Sequence, residues 1–238
     1  MRPVLVFLIA LHSLCSLTFS QNDLVFRRNG AGLWIEEGQK SELVVVVEMR
    51  RQRDDQLTFT IRPINGIPRR FTGRISALDD SSYTVTINSS AKANASGIIH
   101  VENDTAHSMR FMIGYAEIDG RKVAFHFTKE RPLRWNALAF GRGVLSEGDD
   151  RTEIRLASVV ATQESQSEVS LLLHNGSVRS YSANGSLKLA ESELAVTGTS
   201  SNGSIKIKRN RAKHGIEMIE GSATVDGVPV SFSFAADR

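Results

Sequence analysis

The sequence predicts an all-β protein built from two similar antiparallel units behind an N-terminal signal peptide. Three observations carry that expectation. First, the stretch Gly114–Phe127 (GYAEIDGRKVAFHF) returns as Gly221–Phe234 (GSATVDGVPVSFSF), displaced by 107 residues. Seven of the fourteen aligned positions are identical, where unrelated segments share on the order of one, so the match reads as an internal repeat. Second, each copy holds an Asp-Gly pair, Asp119-Gly120 and Asp226-Gly227, flanked by alternating apolar residues. That is the signature of a hairpin closed by two residues with positive φ. Third, weaker anchors upstream keep the same order in both halves. Gly30 and Gly32 match Gly141 and Gly143, Glu42-Leu43-Val44-Val45 matches Glu153-Ile154-Arg155-Leu156, and Phe71 and Tyr83 find Tyr181 and Leu194.

The chain starts with Met1–Ser20, where Arg2, the apolar run Val4–Leu11 and the small-residue site before Gln21 read as a secretory signal. The apolar run is too short to span a bilayer, and no longer one follows it. Cys15 lies within this segment and is the single cysteine. The mature chain is therefore expected to fold without disulfides and to lack any thiolate nucleophile or thiolate metal site. Removing Arg2 leaves 28 basic against 26 acidic side chains, a balance of about +2 that does not suggest a nucleic-acid binder.

The first unit, residues 21–128, is expected to hold strands near Glu42–Met49, Leu57–Arg62, Arg70–Leu78, Ser82–Asn88, Gly97–Val101, Met109–Ile118 and Arg121–Thr128. Residues 129–134, with Lys129, Glu130, Arg131 and Pro132, break the alternation and mark a linker. The second unit, 135–238, repeats the first. Ile154–Leu173 also has near-helical spacing, but its counterpart Glu42–Ile61 carries the β-branched run Val44–Val47, which disfavours a helix. Both are read as strands. The assembled units are tandem sandwiches or barrels, or two halves of one larger sheet.

Closing the hairpins at Asp-Gly pairs Ile118 with Arg121, Ala116 with Val123, Gly114 with Phe125 and Met112 with Phe127. In the second copy it pairs Val225 with Val228, Ala223 with Val230, Gly221 with Phe232 and Ile219 with Phe234. A small residue then faces each inner Phe on a buried face. The opposite face, with Glu117, Lys122 and His126 or Thr224, Ser231 and Ser233, suits water. Pro229 has no N–H to offer outward, so its strand is expected to be an edge or to be unpaired on its outer side there.

The chemistry is sparse. There is no G-x-S-x-G elbow, no H-E-x-x-H and no phosphate-binding glycine loop. His100, His107, His126, His174 and His214 match no metal signature and are expected at the surface. Asp54-Asp55, Asp79-Asp80 and Asp149-Asp150 fall between strands, where aspartate is ordinary turn chemistry. A glycosidase-like carboxylate pair is the competing reading. Glu147-x-Asp149-Asp150 is a weak calcium option. Among the basic clusters, Lys206–Lys213 alternates with Ile205 and Ile207 as one wet and one buried strand face would; an anionic polysaccharide or cell surface is its alternative partner. Trp34 and Trp135 either stack on sugars or plug a core.

Six of eleven asparagines, Asn88, Asn94, Asn103, Asn175, Asn184 and Asn202, open N-x-[ST] sequons, against about two expected by chance. This favours glycosylation in a secretory route, although Asn-Gly-Ser at 175, 184 and 202 is also plain turn sequence. The functional expectation is a secreted or cell-surface, non-enzymatic binding or structural protein. It needs no cofactor, and its partner is a carbohydrate or an extracellular or cell-surface protein. The alternatives are a β-barrel carrier enclosing an apolar ligand against residues such as Phe125 and Phe232, and a secreted hydrolase using a carboxylate pair.

Overall fold

The computed structural model describes residues 23–36, 39–53, 56–63, 67–77, 82–90, 95–105, 108–129, 134–188, 190–198, 201–210 and 215–237. The signal segment, the two acidic pairs at 54–55 and 79–80, Asn94, His107, His214 and most of the linker lie outside these residues. What is described is strand joined by turns. The first unit holds β1 (Asp23–Glu36), β2 (Gln39–Arg53), β3 (Gln56–Pro63), β4 (Arg69–Ala77), β5 (Ser82–Ser90), β6 (Ala95–Thr105), β7 (Ser108–Ile118) and β8 (Arg121–Thr128). The second holds β9 (Arg134–Glu147), β10 (Asp150–Ala161), β11 (Gln166–Leu173), β12 (Val178–Asn184), β13 (Glu191–Val196), β14 (Ser201–Asn210), β15 (Gly215–Val225) and β16 (Val228–Ala236).

Each strand pairs antiparallel with the next, and each sheet closes on itself. Strand β1 meets β8 from Ala31↔Thr128 to Glu36↔Val123, and β16 meets β9 from Val230↔Glu147 to Ala236↔Gly141. Of the architectures left open by the sequence, the molecule adopts two eight-stranded up-and-down barrels. The stretch with helical spacing is the hairpin β10–β11. Its seven rungs, among them Ser158↔Ser170 and Val159↔Val169, pair across the Gln163–Gln166 turn, so the cross-strand ladder overrides the 3.6-residue period.

Both Asp-Gly hairpins have the register that their sequence implies, residue for residue. Asp119 and Asp226 each have φ 50°, and Gly120 and Gly227 have φ 78° and 81°, the backbone of a type I′ turn that matches strand twist. Glycine faces phenylalanine because nothing larger fits. A Cβ on Gly221 would lie 2.2 Å from the Phe232 ring, and one on Gly114 would lie 2.9 Å from that of Phe125. Strand β16 is not an edge. Its outer ladder with β9 starts at Val230, one residue past Pro229, whose carbonyl accepts the Gly148 N–H at 2.9 Å. The missing N–H therefore falls where no ladder bond is required.

Side chains fill both interiors. In the first barrel Trp34, Phe71, Phe125 and Phe127 form a run of stacked rings with centroids 5.7–6.5 Å apart. They are enclosed by Met49, Leu57, Phe59, Ile87, Ile99 and Met112. In the second, Phe232 stacks on Tyr181 at 5.2 Å among Ile154, Leu171, Ile205, Ile219 and Phe234. Eight-stranded barrels are just wide enough for such filling.

A third apolar cluster lies between the barrels. Leu33, Phe111, Ile113 and Ala124 on the outside of the first barrel pack on Leu138, Leu156, Val160 and Leu172 on the outside of the second. Each large aliphatic or aromatic side chain withdrawn from water here contributes about 1.5–3 kcal/mol, so the barrels are held as one body.

Candidate functional site

The junction gathers the polar groups that the hairpin pattern assigns to water. His126 on β8 and His100 on β6 are 3 % and 4 % exposed, which corrects the expectation of surface histidines. The sequence pattern describes one barrel in isolation, and the second barrel covers this outer face. Phe111 lies between the two rings, with its centroid 5.8 Å from each. His126 Nδ1 is 2.7 Å from Ser158 Oγ on β10. Burial, and secondarily the Arg110 guanidinium, lower the His126 pKa to about 3, so the ring is neutral at physiological pH. His174 alone among the described histidines is exposed.

The β11–β12 turn is docked onto the first barrel by its backbone. Gly176 O accepts from Thr84 Oγ1 at 3.0 Å and lies 3.1 Å from His100 Nδ1. A carbonyl only accepts, so His100 is protonated at Nδ1. Gly176 has φ 85°, and a Cβ there would sit 2.3 Å from Thr84 Cγ2. Only glycine suits both the turn and the contact.

Beside the apolar junction a cleft of about 360 Å³ opens between the barrels. The first barrel contributes Ser96 and Ile98 from β6, Tyr115 and Glu117 from β7 and Lys122 from β8; the second contributes Phe140 and Arg142 from β9, Arg155 from β10, and Asp237. Tyr115 and Phe140 meet edge-to-face at 6.3 Å. Lys122 pairs with Asp237 at 2.7 Å and Arg155 with Glu153 at 3.0 Å. Arg155 Nε is shut off from solvent and makes no hydrogen bond. Burial pushes the Tyr115 pKa up, with smaller opposing effects from Arg155 and Glu153. A second cavity, of about 350 Å³, is a shallow opening over Asn202, Ser222, Thr224 and Pro229.

The other sequence-derived candidates are scattered. Asp149 sits exposed in the β9–β10 turn and Asp150, also exposed, opens β10. Glu147 is engaged by Arg179 through two hydrogen bonds of 2.8 and 3.0 Å, which removes it from the calcium option. Among the described residues no group of three or more His, Cys, Asp or Glu side chains is placed to hold a metal. Trp34 is 5 % exposed and stacked in the first core, with Arg69 over its ring at 5.6 Å, so it plugs rather than stacks on sugar. Trp135 lies on β9, but its side chain is outside the described residues. Ile205 and Ile207 are buried while Lys206 and Lys208 are exposed. Lys206 lies between Glu193 and Glu220 on the flanking strands, and Lys208 pairs with Glu217 at 3.0 Å. Lys206 and Lys208 thus stand in a mixed-charge ladder, while Arg211 and Lys213 lie outside the described residues.

Of the sequon asparagines, Asn88, Asn175, Asn184 and Asn202 are exposed. Asn103 is partly buried, and its Oδ1 is shielded and unbonded. Asn175 Oδ1 accepts from Ser177 N at 3.0 Å and Ser177 Oγ at 2.7 Å, the hydrogen bonds of an Asx turn.

No protein-family model matches the chain, and no curated protein sequence is similar to it. Among solved structures, a transferrin-binding protein B double mutant from Haemophilus parasuis is 7 % identical at TM-score 0.30, covering 83 % of this chain and 54 % of that one. Intact Ap-TbpB, with its N and C lobes, gives 7 % identity and TM-score 0.28 over 83 % and 55 %. The Burkholderia oklahomensis agglutinin gives 12 % identity and TM-score 0.27 over 93 % and 99 %. This chain thus spans little more than half the length of the two transferrin-binding protein structures. Likeness at these scores assigns neither a fold family nor a ligand.

Proposed function

We propose that the chain is a secreted or cell-surface, non-enzymatic binding protein that engages a carbohydrate or an extracellular protein through its outer surface. The observation that carries this reading is the filling of both barrels. Phe125 is fully buried and Phe232 is 4 % exposed, each stacked on other rings. The residues that a carrier would use to line its lumen are spent on packing each other, and the cavities described open outward. A ligand is then met on the outside, by two barrels whose relative position the apolar junction fixes. The exposed sequon residues Asn88, Asn175, Asn184 and Asn202 fit glycan attachment in a secretory route, while Asn103 does not.

The test is a screen of the purified protein on a glycan array and against extracellular protein extracts, with native mass spectrometry of the same preparation. Saturable glycan or protein binding by an otherwise empty protein is the expected result. A stoichiometric co-purifying lipid restores the carrier reading. Turnover of a glycoside panel, abolished by replacing one carboxylate, restores the hydrolase.

A further inference from the structure

The geometry points to the inter-barrel cleft as a binding site for an acidic sugar, a single pyranose ring bearing one carboxylate. This assignment rests on the binding-protein reading and names its site. The cleft volume, about 360 Å³, lies at the small end of the range for ligand sites, roughly 300–1,000 Å³. It fits one ring and excludes a long apolar ligand.

Its walls come from both barrels and from a local departure of the second barrel from the first. On β1–β2 the ladder runs unbroken through Gly32↔Leu43, Ala31↔Val44 and Gly30↔Val45. On β9–β10 the corresponding ladder steps from Gly143↔Ile154 to Phe140↔Leu156, so Gly141 and Arg142 together oppose Arg155. Arg155 is also the extra residue against β11, between Ile154↔Leu173 and Leu156↔Leu172. The first unit has Val44 at this position. A bulge re-aims the side chains it carries, and here it sets Arg142 and Arg155 into the cleft wall. Arg142 is exposed, with no ion pair among the described residues, and Arg155 lines the cleft beside it while its Nη2 pairs with Glu153 at 3.0 Å. A guanidinium fork is the group best suited to a carboxylate.

The rest of the lining favours a polyhydroxylated ring over a polyanion. Glu117 and Asp237 sit beside Lys122, Arg142 and Arg155, so the wall carries only a small positive excess. Carboxylates repel phosphate-rich or polysulfated chains at this range but accept hydrogen bonds from hydroxyls. Tyr115 and Phe140 offer ring surface next to the charged groups.

Saturation-transfer NMR and calorimetry on the full-length secreted protein test this with D-glucuronate, methyl D-glucoside and inorganic phosphate as probes. Glucuronate should bind in the millimolar range, and the neutral glucoside and phosphate at least tenfold more weakly. Arg142→Gln, at an exposed site, should weaken glucuronate about tenfold, as should Arg155→Lys, which keeps charge but loses the fork. Lys206→Gln, on the far ladder, should leave it unchanged. The assignment is overturned by absence of glucuronate binding, by equal binding of glucuronate and glucoside, or by indifference to both arginine variants. A protein that keeps an array-identified ligand in Arg142→Gln retains the binding-protein reading and loses the cleft assignment.

Discussion

Acidification should loosen the molecule through His126, and the size of the effect follows from its burial. The ring is neutral in the native protein because burial and Arg110 hold its pKa at about 3, against 6.5 for an exposed histidine. As pH falls below 6.5 the unfolded chain takes up a proton that the native state refuses. Stability is therefore intact above about pH 7 and declines as pH drops toward 3. The full gap amounts to about 5 kcal/mol, at about 1.36 kcal/mol per tenfold difference in proton affinity. By pH 5 the loss from this one group is about 2 kcal/mol. Urea titrations at pH 7.5 and pH 5 on the wild-type protein and on His126→Asn separate this term from every other group, since all the others are common to both. The variant loses some stability at pH 7.5 but should show about 2 kcal/mol less acid sensitivity. The junction joins two barrels, so the wild-type transition at pH 5 should also lose cooperativity. Parallel stability–pH curves for the two proteins, or an NMR titration placing His126 near 6.5, would refute the argument.

Three further outcomes are expected. Replacing Gly176 by Ala forces a side chain into Thr84 at a residue with φ 85°; it should cost about 1–3 kcal/mol in denaturant titration, whereas Gly120→Ala, with open space around it, should cost only about 1 kcal/mol from its positive φ. Tyr181 should ionise well above an exposed tyrosine, because burial and then Glu147, partly offset by Arg179, push its pKa up to about 12. Ultraviolet difference titration reads that directly, and Arg179→Gln should move the midpoint further up. Intact-mass analysis after enzymatic deglycosylation of protein from a eukaryotic secretory host should assign glycans to Asn88, Asn175, Asn184 or Asn202 and none to Asn103, whose Oδ1 is shielded.

The hairpins were legible from the chain because their determinants are local. Asp-Gly sets the turn, period-two alternation sets the buried face, and glycine opposite phenylalanine sets the register. The count of two β units was legible from the repeat. The closure of each sheet was not, since β1–β8 and β9–β16 contacts join residues some ninety positions apart and leave no mark on any short window. The junction was missed for a different reason. Alternation reveals one covered face, but β7 is apolar on both, with Phe111, Ile113 and Tyr115 outward and Met112, Gly114 and Ala116 inward. That near-continuous run from Met109 to Ala116 is the mark of a strand buried twice, as is Leu171–Leu173 on β11. Arg155 also left a trace, as a charge between Ile154 and Leu156 where the other copy has valine. Its role depends on a bulge that the sequence does not announce.

The barrels touch through unlike surfaces, and such a contact has no built-in stopping point: a surface that accepts one neighbour could in principle be reproduced on that neighbour and accept another. Here the second copy has lost the means. Where the first presents Phe111, Ile113, Tyr115, Ala124 and His126, the second presents Met218, Glu220, Ser222, Ser231 and Ser233, and the last four are exposed. Hydroxyls and a carboxylate at those places leave the second barrel without the apolar patch by which the first is grasped, so the contact is one-sided within this pair.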